Sequence, residues 1–212
     1  VVITGAGTAF SSGHDLKELT AHRSDADRGR AYFERIMTAC SDLMLSIVRA
    51  PKPVIAAVNG IATAAGCQLV ASCDLAVASS EARFATPGVN IGLFCSTPMV
   101  ALSRNLSRKA AMEMLLLGDM VEANEAKELG LVNRVVAPDE TLNTAIAFAR
   151  RIAEKPKATL KIGKEAFYRQ LELGLADAYQ FTAKVMVENM LHAEAEEGIG
   201  AFLGKRQPNW PA

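Results

Sequence analysis

The stretch from Val54 to Ala78, VIAAVNGIATAAGCQLVASCDLAVA, decides how the rest of the chain is read. Its first five residues, Val54 to Val58, form an apolar, β-branched and alanine-rich run that breaks at Asn59-Gly60. Small residues lead on to Gly66, after which Cys67 to Ser72 suit a helix and Cys73 to Ala78 reads as the next buried strand. The unit is a strand, a tight loop, a helix start and a second strand. Small side chains at Ala62, Ala64, Ala65 and Gly66 let another group approach the backbone. A helix opening there points unpaired N–H groups outward with the positive end of its dipole behind them, a setting that suits a developing negative oxygen.

Upstream, Val1 to Thr4 reads as a short strand, and Gly5-Ala6-Gly7 turns it into a loop that runs through Phe10-Ser11-Ser12-Gly13-His14 to a helix start. Asp15 is a natural N-cap, with Glu18 as its capping-box partner. Gly5 and Gly7 lack the third glycine of a phosphate-binding loop, so a turn is the reading there. The charged run Ser24 to Arg30 predicts a solvated, mobile loop. A helix follows from Ala31 to about Arg49, with Phe33, Ile36, Met37, Cys40, Leu43, Met44 and Ile47 on one face, until Pro51 and Pro53 stop it.

Downstream, Arg83 to Thr86 is a short strand ending at Pro87-Gly88, and Val89 to Pro98 is a loop, the kind of place where sites sit. Ser107 caps a helix that ends on Gly118, Glu122 to Leu129 is a helix ending on Gly130, and Leu131 to Val136 is a strand. After Pro138 only helices follow, over Asp139–Ala153, Ala158–Glu172, Asp177–Leu191 and Glu194–Lys205, with faces that suit core or subunit interface. The pattern predicts an α/β core over 1–137 and an α-helical region over 138–212.

Composition narrows the function. Half of the 212 residues are hydrophobic, enough for one sizeable core with or without a helical appendage. Lys plus Arg and Asp plus Glu each number 23, which removes the electrostatic case for nucleic acid or an acidic membrane surface. No apolar run approaches a bilayer span and no signal peptide is visible, so the expectation is a soluble cytoplasmic chain, or a mitochondrial one in a eukaryote. Cys40, Cys67, Cys73 and Cys95 lack a CxxC pair and His14, His22 and His192 lack a ligand spacing, so reduced buried thiols and no metal are expected. The chain opens inside a strand without a methionine, which predicts a missing N-terminal piece.

Four segments in order resemble the crotonase, or enoyl-CoA hydratase/isomerase, family: FSSGHDLKE at 10–18, Pro53 to Asp74, Gly118-Asp119 through EAKELGLV at 125–132, and EGIGAFLGKR at 197–206. The resemblance implies a crotonase-type ββα spiral core, an α-helical C-terminal region that trimerises, and a CoA thioester with its carbonyl in a two-amide oxyanion hole. Coenzyme A would enter as part of the substrate, with no separate cofactor, and the assembly would be a homotrimer or a hexamer. The family chain normally begins with a strand pair and a helix before the point where this one starts, and that piece contributes to the CoA pocket.

Carried over by position, the resemblance puts the two oxyanion amides on His14 and Ala65. It puts Ser12, Asp15, Leu16, Ala64, Pro87, Asn90, Cys95 and Ser96 around the substrate, and Phe202 and Lys205 near the CoA nucleotide. The two family glutamates fall on Gln68 and Gly88. Hydration needs a carboxylate to take a proton from water and an acid to deliver one to the α-carbon, each contributing roughly 10²- to 10⁴-fold. Glutamine exchanges no proton and glycine has no side chain, so ordinary hydratase turnover is expected to be weak or absent. Two alternatives stay open. Gly13-His14-Asp15 and Pro87 to Gly92 resemble the methylmalonyl-CoA decarboxylase branch, and a member that binds acyl-CoA without turnover would keep the same pocket. The imidazole of His14 is either a proton donor or polar contact to the acyl group, or an exposed loop side chain whose backbone alone is used. Cys95 has no evident base beside it and reads as pocket lining.

Overall fold

The first six strands alternate between two sheets, and that alternation organises the larger part of the chain. In the computed structural model, which describes residues 1–211, β1 (Val2–Thr4) and β2 (Ala9–Ser11) lead through α1 (Leu16–Ala21) and a 3₁₀ turn at His22–Ser24 into α2 (Arg30–Arg49). Next come β3 (Ile55–Val58), β4 (Ile61–Thr63), α3 (Ala65–Ser72), β5 (Leu75–Ser79), β6 (Arg83–Ala85) and a 3₁₀ turn at Pro87–Ile91. The helices α4 (Pro98–Asn105) and α5 (Arg108–Leu117), the short β7 (Val121–Glu122), α6 (Ala123–Leu129) and β8 (Arg134–Val136) complete this part. One sheet has the order β1-β3-β5-β8 and is parallel throughout. The other has the order β2-β4-β6-β7, in which only β7 runs antiparallel. Successive ββα turns thus add a strand to each sheet, and the result is a ββα spiral.

The composition of β3 and β5 explains why the first sheet lies so deep. Ala56, Val58, Ala76 and Ala78 join the main hydrophobic core, while the alternate positions Ile55, Ala57 and Val77 are equally buried. A parallel strand covered on both faces reads as a continuous apolar run, which is the Val54–Val58 signal. Polar side chains finish the strand ends. The N–H of Val54 donates to Asp74 Oδ2 at 2.7 Å, and that of Ala76 to Asn133 Oδ1 at 2.8 Å.

Several expectations are corrected. The strands β2 and β4 occupy segments read as loop, and α3 begins at Ala65 rather than Cys67, while the helix α4 starts at Pro98, where the expected loop ends. Asp15 caps α1 through the N–H groups of Lys17 and Glu18. Glu18, however, takes the hydroxyl of Tyr32, a bond that holds this phenol above its ordinary value. The run Ser24 to Arg30 is an ordered turn in which the carboxylate of Asp27 accepts the N–H groups of Gly29 and Ala31. On α2, Cys40, Met44 and Ile47 are buried as read, whereas Leu43 is 51% exposed. All four cysteines are free and buried.

The chain divides into two compact units, residues 1–50 with 54–148 and residues 51–53 with 149–212. The helix α7 (Thr141–Ala153) runs across the division, and α8 (Lys157–Gln170), α9 (Leu175–Met190) and α10 (Ala193–Leu203) belong to the second unit. There the buried Glu194, in the first turn of α10, accepts the N–H groups of Ala158 at 3.1 Å and Thr159 at 2.9 Å, satisfying orphan donors of α8. Burial alone would raise this carboxyl, but those N–H groups and the Thr159 hydroxyl outweigh it and hold the group below its ordinary value. Such stabilisation is present above the unfolded-state value and is lost as pH falls through the folded one. Glu194→Gln is therefore expected to lose about 1–3 kcal/mol in urea unfolding at neutral pH. The difference from the parent chain should shrink at a pH below 4.5, the ordinary value of the group.

Candidate active site

Two loops leave the second sheet at the same end and meet. Because β2 and β4 are parallel neighbours with Ser11 opposite Ala62, the segment Ser12–His14 and the junction Thr63–Ala65 emerge side by side. The Thr63 hydroxyl donates to the Ser12 carbonyl at 3.3 Å, and the N–H of Gly13 to Ser11 Oγ at 3.3 Å. The approach requires glycine twice. A Cβ on Gly66 would stand 2.0 Å from the Ser11 carbonyl oxygen, and one on Gly13, whose φ is +91°, would stand 3.1 Å from the Ala65 nitrogen.

At this junction Ala64 has φ +51° and ψ −119°, a region that an L side chain enters only under strain. The strained residue makes the turn from β4 into α3, with its own N–H held by the Ala85 carbonyl at 3.0 Å and its carbonyl taken by the N–H of Gln68 at 3.0 Å. Ala65 is then the first residue of an eight-residue helix, and its N–H has no intrahelical acceptor. Among the described residues neither this N–H nor that of His14 makes a hydrogen bond. Two free donors therefore stand on segments in van der Waals contact, at the positive end of a helix, where they suit an oxygen that gains negative charge.

Positions 68 and 88, onto which the resemblance maps two glutamates, differ in kind. Gln68 lies on the first turn of α3, only 4% exposed, and its Oε1 accepts the thiol of Cys40 at 3.8 Å. Gly88 is buried in the 3₁₀ turn, where a Cβ would stand 2.7 Å from the Leu93 carbonyl oxygen and 2.9 Å from Cys95 Sγ. The backbone of the following loop has taken that volume, and the Leu93 N–H closes it with a 2.9 Å bond to the Gly88 carbonyl. The turn is anchored from below by the buried Thr86 hydroxyl, which donates to the Met114 carbonyl at 2.9 Å.

The remaining candidate residues separate. His14 is partly buried, and its Nε2 is fully buried with no hydrogen-bond partner. The carboxylate of Asp15 is committed to capping α1. Ser12 and Leu16 are exposed beside it. Pro87 opens the 3₁₀ turn, and the exposed Asn90 turns its amide toward Gly118. Cys95 is buried, and Ser96 is exposed with its hydroxyl on the Phe94 carbonyl. Burial, and secondarily the nearness of Cys95, pushes the Cys67 thiol up to about 12, which removes it as a nucleophile. Phe202, 82% exposed, and Lys205, at φ +51° beyond the end of α10, belong to the second unit. No group of three or more His, Cys, Asp or Glu side chains among the described residues could hold a metal ion. None of the helices described is long and apolar enough to cross a membrane. Sequence reading missed the Cys40 thiol beside Gln68 and the Leu93 carbonyl under Gly88, long-range or backbone contacts that leave no local signal.

Comparisons with known proteins identify the family. A sequence model of the family described as enoyl-CoA hydratase/isomerase matches residues 1–212. The chain is 50% identical over 210 residues to human enoyl-CoA hydratase domain-containing protein 3, mitochondrial, covering 99% of this chain and 68% of that protein. The rat protein of the same name is 48% identical over the same lengths. Among solved structures, an enoyl-CoA hydratase from Mycobacterium smegmatis superposes with a TM-score of 0.93 at 54% identity, covering 99% of this chain and 79% of the other. The human domain-containing protein 3 superposes with a TM-score of 0.92 at 50% identity, over 99% and 81%.

The strain at Ala64 is open to a direct measurement. Glycine adopts positive φ freely, so Ala64→Gly is expected to stabilise the chain by about 1 kcal/mol in denaturant unfolding despite the lost methyl. Ala64→Val, β-branched at the same φ, is expected to destabilise it.

Proposed function

The chain belongs to the enoyl-CoA hydratase/isomerase family, and from that premise we propose that it binds an acyl-CoA thioester with the thioester oxygen between the N–H groups of His14 and Ala65. The observation that carries this reading is the packed junction in which Gly13 meets the Ala65 nitrogen and both N–H groups are free. Donors fixed in this way favour the enolate oxygen over the ground-state carbonyl, and that difference is what accelerates a reaction. Coenzyme A enters as part of the substrate. Exposed apolar side chains on the second unit, Leu191 at 78% and Phe202 at 82% among them, support association of subunits as a homotrimer or a pair of trimers. The names of the vertebrate relatives place those proteins in mitochondria, which supports a mitochondrial site should this chain come from a eukaryote.

Hydration of an enoyl thioester is not the reaction this site favours. The Gln68 amide exchanges no proton, and position 88 has neither a side chain nor space for one. Decarboxylation of a malonyl-type thioester needs no carboxylate. The bond between the α-carbon and its carboxyl carbon breaks, CO₂ leaves, and the electron pair passes into the enolate held by the two N–H groups.

Calorimetry with a panel of enoyl-, malonyl- and β-hydroxyacyl-CoA esters tests the binding, and CO₂ release from methylmalonyl-CoA tests the chemistry. Ala65→Pro deletes one donor at a helix position that tolerates proline, and is expected to lower turnover about 10²- to 10³-fold. Binding without any product assigns the non-catalytic role instead. The double variant Gln68→Glu with Gly88→Glu is expected to gain no crotonyl-CoA hydration and to unfold at lower denaturant, since residue 88 must displace the Leu93 carbonyl.

A further inference from the structure

Among the described residues one buried side-chain polar atom, the Nε2 of His14, makes no hydrogen bond. Burying a nitrogen unpaired is costly, so a binding partner that pairs with it recovers that energy. Its position is bounded by covalent geometry, because the ring nitrogen of a histidine stays within about 6 Å of the backbone nitrogen of the same residue. That backbone nitrogen is the first proposed donor to the thioester oxygen. With the oxygen held about 3 Å away, the α-carbon two bonds further on comes within reach of Nε2 once the imidazole turns out of its buried, unpaired position about its side-chain torsions.

We propose that the His14 imidazole, through Nε2, carries the proton to and from the α-carbon of the bound thioester, in place of the carboxylates absent at positions 68 and 88. The proposal rests on the thioester pose proposed above. Several other proton-bearing groups of this unit are engaged. Asp15 caps α1, Glu18 holds Tyr32, and the Cys40 thiol is bound to Gln68. The Cys67 thiol, raised mainly by burial, holds its proton. In the tautomer protonated at Nδ1, the lone pair of Nε2 takes the α-proton while the C–H electron pair moves into the enolate, whose oxygen rests on the N–H groups of residues 14 and 65. Return of the proton from Nε2 to the α-carbon restores the ester and the neutral ring. After loss of CO₂ from a malonyl-type ester, an imidazolium delivers its proton to the same carbon and is recharged from water.

The test is α-proton exchange of butyryl-CoA in D₂O, followed by mass spectrometry, with calorimetry on the same samples. Wild-type protein should incorporate deuterium at the α-carbon. His14→Ala and His14→Gln keep the main-chain N–H, so they should bind butyryl-CoA with nearly unchanged affinity and exchange it roughly 10²- to 10⁴-fold more slowly. Added imidazole should restore part of the rate to His14→Ala, while His22→Ala, at a histidine paired with Asp25 and stacked on Tyr32, should exchange normally. The proposal is overturned if either histidine variant that binds the ester exchanges at the wild-type rate. It is also overturned if wild type binds the ester yet exchanges it no faster than buffer, an outcome that leaves the thioester-binding reading standing. No binding of any acyl-CoA overturns both.

Discussion

Two peptide segments about fifty residues apart are pressed together at one end of the second sheet, and that contact depends on there being no side chain at Gly13 or Gly66. At Gly66 a single methyl would overlap the Ser11 carbonyl, and at Gly13 it would crowd the Ala65 nitrogen. The close approach, and not any reactive side chain, is what places two main-chain donors together. Main-chain donors have a further property that suits such a site. Their direction is set by backbone torsions that the sheet and helix hold, so they need no reorganisation as charge develops.

The strain at Ala64 follows from the same contact. A chain that leaves β4 and must begin α3 immediately has one residue in which to reverse direction, and Ala64 makes that reversal at positive φ. Strain of this kind persists only where the surroundings over-determine it. Here the N–H of Ala64 is fixed to Ala85 on β6, its carbonyl caps the Gln68 N–H, and α3 is braced from behind by the Asn105 amide on the Ala71 carbonyl. The alanine-rich strands serve this arrangement, since small residues on both faces let helices pack close to the sheet and hold the junction rigid.

Much of this was legible in the sequence, and the portions that were not share a physical cause. The long apolar helix face of α2, the capped helices α5 and α6 with left-handed glycines behind them, and the doubly buried β3 all announce themselves by period, cap or composition. The strands β2 and β4 are three residues each, too short for a period of two to show. The helix α4 opens on Pro98, at the end of the stretch read as loop, and Thr97 before it makes no side-chain cap that would announce it. Leu43 illustrates a different limit. Helical spacing gives the direction of a face but not its width, and the buried stripe of α2 is narrower than its apolar residues. At the site, the pairing of segments 11–14 and 63–66 was accessible only through family resemblance, because nothing local to either one specifies the other.

Positions 68 and 88, onto which the family resemblance maps two glutamates, are held in different ways. The Gln68 side chain is buried, and its amide oxygen accepts a thiol on α2. At 88 there is no side chain, and the Leu93 carbonyl and the Cys95 thiol fill the volume that a Cβ would need. The first position is constrained by side-chain chemistry and the second by the packing of the backbone. A side chain can be exchanged without moving its neighbours, but the loop of residues 88–95 is closed by its own hydrogen bond and tied to α5 through Thr86. The N–H groups of residues 14 and 65 depend instead on the approach of Gly13 to Ala65, on the other side of the junction. A substitution at 68 therefore acts through one side chain, one at 88 acts through the loop that follows it, and neither needs to move the contact between segments 11–14 and 63–66.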